Sequence, residues 1–149
     1  LQPASNTPFK LIDLKNNGRQ VPGSGAVFKM LWEGRTPGNS IEFSVPCSSS
    51  QFRHLRVMYL TGHAINYGFG SVHINGILVG TLDAYRHKQG SLFVGADFAF
   101  PSRCSNPWWL RWWPCPTSNH IVRITVLNRT RNPVKGMFGF GVNSIMCLP

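Results

Sequence analysis

The feature that most constrains the fold is a succession of short apolar runs separated by turn residues. The runs are rich in Val, Ile, Phe and Tyr, and Gly, Pro, Asn and Ser interrupt them about every ten residues. This spacing predicts β-strands at residues 9–14, 26–32, 40–45, 54–60, 70–74, 77–83, 91–100, 121–127 and 138–147. No window has a convincing helical period, so the sequence predicts an all-β sandwich or barrel.

Two stretches define strand faces and turns. In "HIVRITVLN" the side chains alternate, so Val122, Ile124 and Val126 are expected on one face of the strand and Ile121, Arg123, Thr125 and Leu127 on the other. In "INGIL" the pair Asn75-Gly76 predicts a type I′ hairpin, whose two central residues need positive φ. We expect one domain over residues 1–149, with residues 1–9 as an extended arm and residues 101–119 as an inserted tryptophan-rich loop.

The charge balance favours acidic partners and disfavours hydrolytic chemistry. The chain has 15 Lys plus Arg against 5 Asp plus Glu, a net charge of +10, which suits sulfated glycans, anionic surfaces or nucleic acid. So few carboxylates disfavour a carboxylate-pair enzyme, and no nucleophile elbow, zinc-protease motif or Walker loop is present. We expect no enzymatic activity and no cofactor. Structural calcium is a weak alternative, with Asp83 and Asp97 as the nearest carboxylates.

The cysteines and a sequon indicate an extracellular setting. Cys47, Cys104, Cys115 and Cys147 lack the spacing of a zinc site, which favours disulfides. Of three connectivities we expect Cys104–Cys115, which would close the tryptophan-rich loop, and by elimination Cys47–Cys147. The sequence Asn128-Arg129-Thr130 predicts glycosylation at Asn128. Leu1 in place of an initiating Met would suit a processed secreted chain, and no apolar stretch has transmembrane length.

Six segments from Ser40 onward resemble a known superfamily. They read "SIEFSV", "HLRVMYLTG", "SVHINGILVG", "TLDAY", "HIVRITVLN" and "FGFGVNSIMC". In this order they resemble the galactose-binding-domain-like β-sandwich (jelly-roll) superfamily, which includes many carbohydrate-binding modules. The chain departs from the family pattern at Asn75, where Asp is commoner, and at Asn119, where Gly is usual. The resemblance implies an antiparallel jelly-roll sandwich, and it assigns no particular sugar because ligand contacts in the superfamily lie on variable loops.

The stretch "NPWWLRWWPC" contains four of the five tryptophans and is predicted to be a loop. Its indoles could stack on sugar rings, plug the open end of the sandwich, or form a hot spot for a protein partner. Arg111 could contact an indole or bind a sulfate or carboxylate. The tightest basic cluster is "NRTRNPVK" at 128–135, and the next is "YRHK" at 85–88. The candidate binding residues are Trp108, Trp109, Arg111, Trp112, Trp113, Tyr85 and Arg86.

Two functions from different classes follow from these patterns. The first is a secreted, lectin-like carbohydrate-binding module that uses loop aromatics and arginines for acidic or sulfated glycans. The alternative is a structural subunit of an extracellular coat, cell wall or filament, with the tryptophan-rich loop and residues 1–9 contacting neighbouring copies or other proteins. The arginines would equally suit a solvated surface that keeps the protein soluble, and the expected secretion disfavours nucleic acid as a partner.

Overall fold

A computed structural model describes residues 10–13, 30–48, 51–63, 67–87, 90–101, 119–131 and 139–149. Their strands are β1 (Lys10–Asp13), β2 (Met30–Gly34), β3 (Ser40–Val45), β4 (His54–Gly62), β5 (Phe69–Ile74), β6 (Ile77–Asp83), β7 (Ser91–Ala99), β8 (His120–Val126) and β9 (Phe140–Leu148). Each strand predicted from the sequence is present. The bounds of β3 and β6 match the prediction, and those of β4, β5, β7 and β8 differ by one or two residues.

The strands form two antiparallel sheets. The five-stranded sheet has the order β1-β2-β9-β4-β7, and the four-stranded sheet has the order β3-β8-β5-β6. Val122, Ile124 and Val126 of β8 are buried, whereas Ile121 and Arg123 are exposed, which confirms the predicted alternation. Each fully buried aliphatic side chain contributes roughly 1.5–3 kcal/mol relative to exposure. The larger sheet contributes to the same core with Leu55, Val57, Phe140, Val142 and Ile145.

A glycine sets how closely the two sheets approach near the middle of the core. A Cβ added to Gly70 of β5 would lie 3.0–3.1 Å from three ring atoms of Phe140, which is on the facing sheet. The ring is buried and cannot move aside without disturbing its neighbours. The missing side chain at residue 70 therefore makes room for the largest fully buried residue of the core.

The β5–β6 connection is the predicted type I′ hairpin. Asn75 and Gly76 have φ angles of 51° and 81°. The Asn75 side chain also bridges to the start of β8, where its Oδ1 accepts from Ile121 N at 2.9 Å. Its Nδ2 lies 2.9 Å from Nδ1 of His120. The turn is therefore tied to the neighbouring strand as well as to its own.

The predicted Cys47–Cys147 disulfide is present and joins the two sheets. Cys47 follows β3 of the smaller sheet, Cys147 belongs to β9 of the larger one, and their Cα atoms are 6.3 Å apart. Cys104 and Cys115 lie outside the described residues, so their bridge stays a prediction. In the ranges that the structure describes, no helix is long and apolar enough to cross a membrane.

Candidate functional site

The sandwich has two ends with different contents. The hairpin end contains Asn75-Gly76, the disulfide, and Pro101 and Asn119, which flank the tryptophan-rich segment. Residues 102–118, with Trp108, Trp109, Arg111, Trp112 and Trp113, lie outside the described residues. Tyr85 and Arg86 follow β6 at the opposite end, which we call the basic end. The structure thus places Tyr85 and Arg86 at the end of the sandwich opposite to the flanks of the tryptophan-rich segment.

Backbone hydrogen bonds join the two sheets at the basic end. Ala84 N donates to Gly68 O at 3.0 Å, on the side of the smaller sheet. On the side of the larger sheet, Gly62 N donates to Ala84 O and Arg86 N donates to Gly62 O, both at 2.9 Å. The chain around Tyr85 is therefore held between both sheets. A platform fixed in this way loses little conformational entropy when it binds a ligand.

Tyr85 is the centre of an aromatic cluster. Its ring centroid is 5.1 Å from that of His87 in a T-shaped contact and 6.1 Å from that of His63. Both imidazoles are exposed and Tyr85 is half-buried. Tyr85 N donates to Asp83 Oδ1 at 3.0 Å, which fixes the backbone that carries the ring. The arrangement presents partly solvated ring surface of the kind on which an apolar sugar face can stack.

Three arginines lie at the same end of the sandwich as this cluster. Arg131 is paired through Nε with Asp83 Oδ2 at 2.7 Å. The guanidinium carbon of Arg129 lies 4.6 Å from the Phe69 ring centroid, a cation–π contact. Arg86 is half-buried beside Tyr85. We call this set the basic rim: His63, Tyr85, Arg86, His87, Arg129 and Arg131.

The acidic side chains leave much of the rim's charge uncompensated. Four acidic side chains are paired with an arginine, in the pairs Glu33–Arg35, Glu42–Arg123, Asp83–Arg131 and Asp97–Arg56. Among the described arginines, Arg53, Arg86 and Arg129 have no carboxylate partner. Arg53 lies at the hairpin end, and the other two belong to the rim. A positive potential at the basic end favours an anionic ligand.

Asp83 also affects the pKa of a tyrosine on the larger sheet, Tyr59. Tyr59 of β4 stacks on Phe140 with ring centroids 5.7 Å apart. Burial raises the pKa of the Tyr59 hydroxyl, and the charge of Asp83 raises it further. Tyr59 is therefore neutral at physiological pH.

Asp83 and Asp97, the carboxylates considered for calcium, do not come together among the described residues. Asp83 is paired at the basic end, whereas Asp97 lies on the outer face of β7, where Arg56 donates to both of its carboxylate oxygens at 2.6 and 2.7 Å. The hydrogen bond from Arg56 lowers the pKa of Asp97. Calcium requires several converging oxygen ligands. Across the described ranges, no three His, Cys, Asp or Glu side chains converge on one point.

The sequence identified part of the rim and missed the rest. It singled out Tyr85 and Arg86, but it did not place His63 beside Tyr85 or Arg129 over Phe69. The clusters "YRHK" and "NRTRNPVK" follow β6 and β8, and both strands end at the basic end with β5 between them. Only the strand order β8-β5-β6 makes these two clusters neighbours.

The two facing antiparallel sheets form a jelly-roll β-sandwich, which confirms the fold implied by the resemblance found in the sequence. Comparison of the sequence with protein-family models and with curated proteins finds no match. Comparison of the fold finds similar solved structures at low sequence identity.

Three of these structures illustrate the similarity. A CBM35 from Cellvibrio japonicus Abf62 has a TM-score of 0.53 and 12% identity over 99% of this chain and 91% of that one. The carbohydrate-binding module CBM36 in complex with calcium and xylotriose has a TM-score of 0.51 and 11% identity over 98% and 97%. A Paenibacillus xanthan lyase has a TM-score of 0.56 and 12% identity over 96% of this chain but 12% of its own. At such identities the similarity is one of fold.

Proposed function

We propose that this chain is a non-enzymatic carbohydrate-binding module that binds acidic or sulfated polysaccharides at the basic rim. The observation that carries the proposal is the Tyr85 ring in contact with two exposed imidazoles, at the same end of the sandwich as Arg86 and Arg129, which have no carboxylate partner among the described residues. The similarity of the fold to carbohydrate-binding modules supports the same class of ligand.

The chemistry of the rim suits a sugar that carries an anionic group. The apolar face of a pyranose can cover the Tyr85 ring, and a carboxylate or sulfate can accept paired N–H bonds from a guanidinium fork. Arginine is suited to this because it is always charged and less strongly hydrated than lysine. Ring stacking would select a sugar, and the arginines would select its charge.

Calorimetric titration of the full chain with a polyuronate, a sulfated polysaccharide and a neutral xylan tests the proposal. We expect Tyr85→Ala to weaken binding of the charged polymers about tenfold, because an aromatic contact and its buried area are lost. Arg86→Ala should weaken it about tenfold or more, since hydrogen bonds to charged groups contribute about 1.5–3 kcal/mol. Arg53→Ala is the matched control, because it removes an equally unpaired arginine from the other end of the sandwich.

The outcomes separate the proposal from its competitors. Equal losses for Arg86→Ala and Arg53→Ala would mean that the whole protein attracts polyanions by net charge and has no site at the rim. Binding of neutral xylan with the same affinity as the polyuronate would remove the role given to the arginines. Raising the salt concentration should weaken the charged interaction and leave ring stacking largely unchanged.

The tryptophan-rich segment is a second proposed sugar contact, and variants can tell the two ends apart. If Trp109→Ala and Trp112→Ala abolish polysaccharide binding while Tyr85→Ala does not, the ligand binds at the tryptophan-rich segment. The reverse result assigns binding to the basic rim. Losses from both sets would indicate two sites on one module.

An extracellular structural subunit is the second candidate function, and two exposed side chains favour it. Leu78 is 58% exposed and Ile121 is 40% exposed, both on the outer face of the four-stranded sheet. Light scattering across a dilution series tests this role. A species near 16.7 kDa opposes it, and large particles that persist on dilution support it. With either function we propose that the chain is secreted, since a disulfide across the two sheets fits an oxidising compartment.

A further inference from the structure

Residues 127–131 lie at the basic end and are hydrogen-bonded to the chain at the start of β5. Leu127 N donates to Phe69 O at 2.8 Å, and Phe69 N donates to Arg129 O at 3.3 Å. The Arg129 guanidinium covers the Phe69 ring, and Thr130 Oγ1 donates to Tyr67 O at 3.2 Å. This segment therefore has a defined position beside the rim.

Unlike Leu127, Arg129 and Thr130, Asn128 is not held by a contact with the chain at the start of β5. It is exposed in a bend directly after β8, and it makes no hydrogen bond, ion pair or ring contact with another described residue. A substituent on its Nδ2 would therefore displace no interaction with a described residue. Asn128 also begins Asn-Arg-Thr, the only Asn-x-Ser/Thr sequence in the chain, which is the acceptor sequence for N-linked glycans.

From this combination we infer that Asn128 is an N-glycosylation site and that its glycan shields the basic rim. The Cα atoms of Asn128 and Arg129 are ~3.8 Å apart, so the first sugars would lie next to one of the two unpaired rim arginines. A glycan is bulky and hydrated, and it would exclude a polysaccharide from Arg129 by occupying space rather than by changing charge. The effect on binding rests on the proposed function, whereas the modification itself does not.

The modification is tested with the full chain secreted from a eukaryotic host. We expect the intact mass of the wild-type protein to show one glycan, and Asn128→Gln to carry none. Thr130→Ser is the matched control, because it keeps both the acceptor sequence and a hydroxyl that can donate to Tyr67 O. An unmodified wild-type protein from a host that glycosylates other secreted proteins would overturn the inference.

The shielding is tested first without a polysaccharide. Phenylglyoxal modifies accessible arginines, and peptide mass spectrometry reports each site separately. We expect Arg129 to react about tenfold more slowly in the glycosylated protein than in Asn128→Gln. Arg53, at the opposite end, should react equally in both and serves as the internal control. Equal reaction of Arg129 in the two proteins would rule out shielding.

Binding to heparin, a sulfated polysaccharide, then measures the consequence. Asn128→Gln should bind about tenfold more tightly than the glycosylated wild-type protein, and equal affinities would overturn the regulatory effect. If Arg129 is protected from phenylglyoxal but neither protein binds heparin or a polyuronate, the proposed function is wrong. The inference that a glycan shields the rim is then still supported. Substitution by Gln is used rather than enzymatic deglycosylation, because release of the glycan converts Asn128 to Asp and adds a negative charge beside Arg129.

Discussion

At the scale of single residues, burial and a hydrogen bond determine the protonation state of His120. Its side chain is 2% exposed and stacks on Phe100 with ring centroids 4.3 Å apart. Ile121 N donates to Asn75 Oδ1, so the amide nitrogen of Asn75 faces His120 and donates to Nδ1. Nδ1 must then be unprotonated, and the neutral ring carries its proton on Nε2. Burial lowers the pKa of His120 in agreement with this neutral form.

We expect the protein to lose stability as the solution becomes mildly acidic. In the unfolded chain a histidine has a pKa of about 6.5, and the native pKa of His120 lies below its ordinary value. The unfolded state therefore binds more protons, and the free energy of unfolding falls as pH drops below about 6.5 towards the native pKa, by at most about 1.4 kcal/mol per pH unit. Burial and the charge of Arg123 lower the pKa of His73 in the same direction.

The variant His120→Asn separates the contribution of His120 to the pH dependence of stability from that of His73. Its Oδ1 can accept from Asn75 in place of Nδ1 but does not titrate. Urea unfolding between about pH 7 and pH 5 should show a shallower loss of stability than in the wild-type protein, with the contribution of His73 remaining. The variant should begin about 1–3 kcal/mol less stable at pH 7, because Phe100 loses its stacking partner. A pH dependence as steep as that of the wild-type protein would contradict the role given to His120.

At the scale of strands, replacing glycine by alanine should cost stability on a strand face that points into the core and cost little on a face that points outward. A Cβ on Gly70 would meet the buried Phe140 ring, whereas a Cβ on Gly95 of β7 would meet the flexible side chains of Arg56 and Met58 on the outer face. We expect Gly70→Ala to destabilise the protein by about 1–3 kcal/mol through overpacking. Gly95→Ala should stay within about 0.5 kcal/mol of the wild-type protein. Chemical denaturation of the pair tests this, and equal losses would mean that contact with the Phe140 ring does not determine the cost.

At the scale of the whole molecule, the Cys47–Cys147 disulfide closes most of the chain into a loop. The two residues are 100 positions apart, and in the chain-entropy model a loop of that length is worth about 4.7 kcal/mol. We expect the double variant Cys47→Ala/Cys147→Ala to lose roughly 4 kcal/mol of unfolding free energy, as measured by urea denaturation.

Because this disulfide lies at the hairpin end, a folded double variant should retain binding at the basic rim. Loss of polysaccharide binding without loss of structure would therefore place the ligand near the hairpin end. Retained binding together with a loss of stability well below 1 kcal/mol would show that the unfolded chain is already compact when the bridge is absent.

Much of the fold is determined locally and could be predicted from the sequence. Strand positions follow from apolar runs and turn residues, and the alternation in β8 follows from the two-residue period of a strand. The hairpin at Asn75-Gly76 follows from the positive φ that few residues tolerate. The Cys47–Cys147 pairing also followed from the sequence, because four cysteines allow few connectivities.

The site depended on contacts that the sequence does not encode locally. His63, Tyr85 and Arg129 come from three separate connections, and they lie at one end of the sandwich only because β8, β5 and β6 are neighbours and residues 84–86 bond to both sheets. The sequence determined the strands, the turn and the excess of arginine. The tertiary structure decided which arginines are neutralised and which are left at the basic end, because ion pairs such as Glu42–Arg123 and Asp97–Arg56 form across strands far apart in the chain.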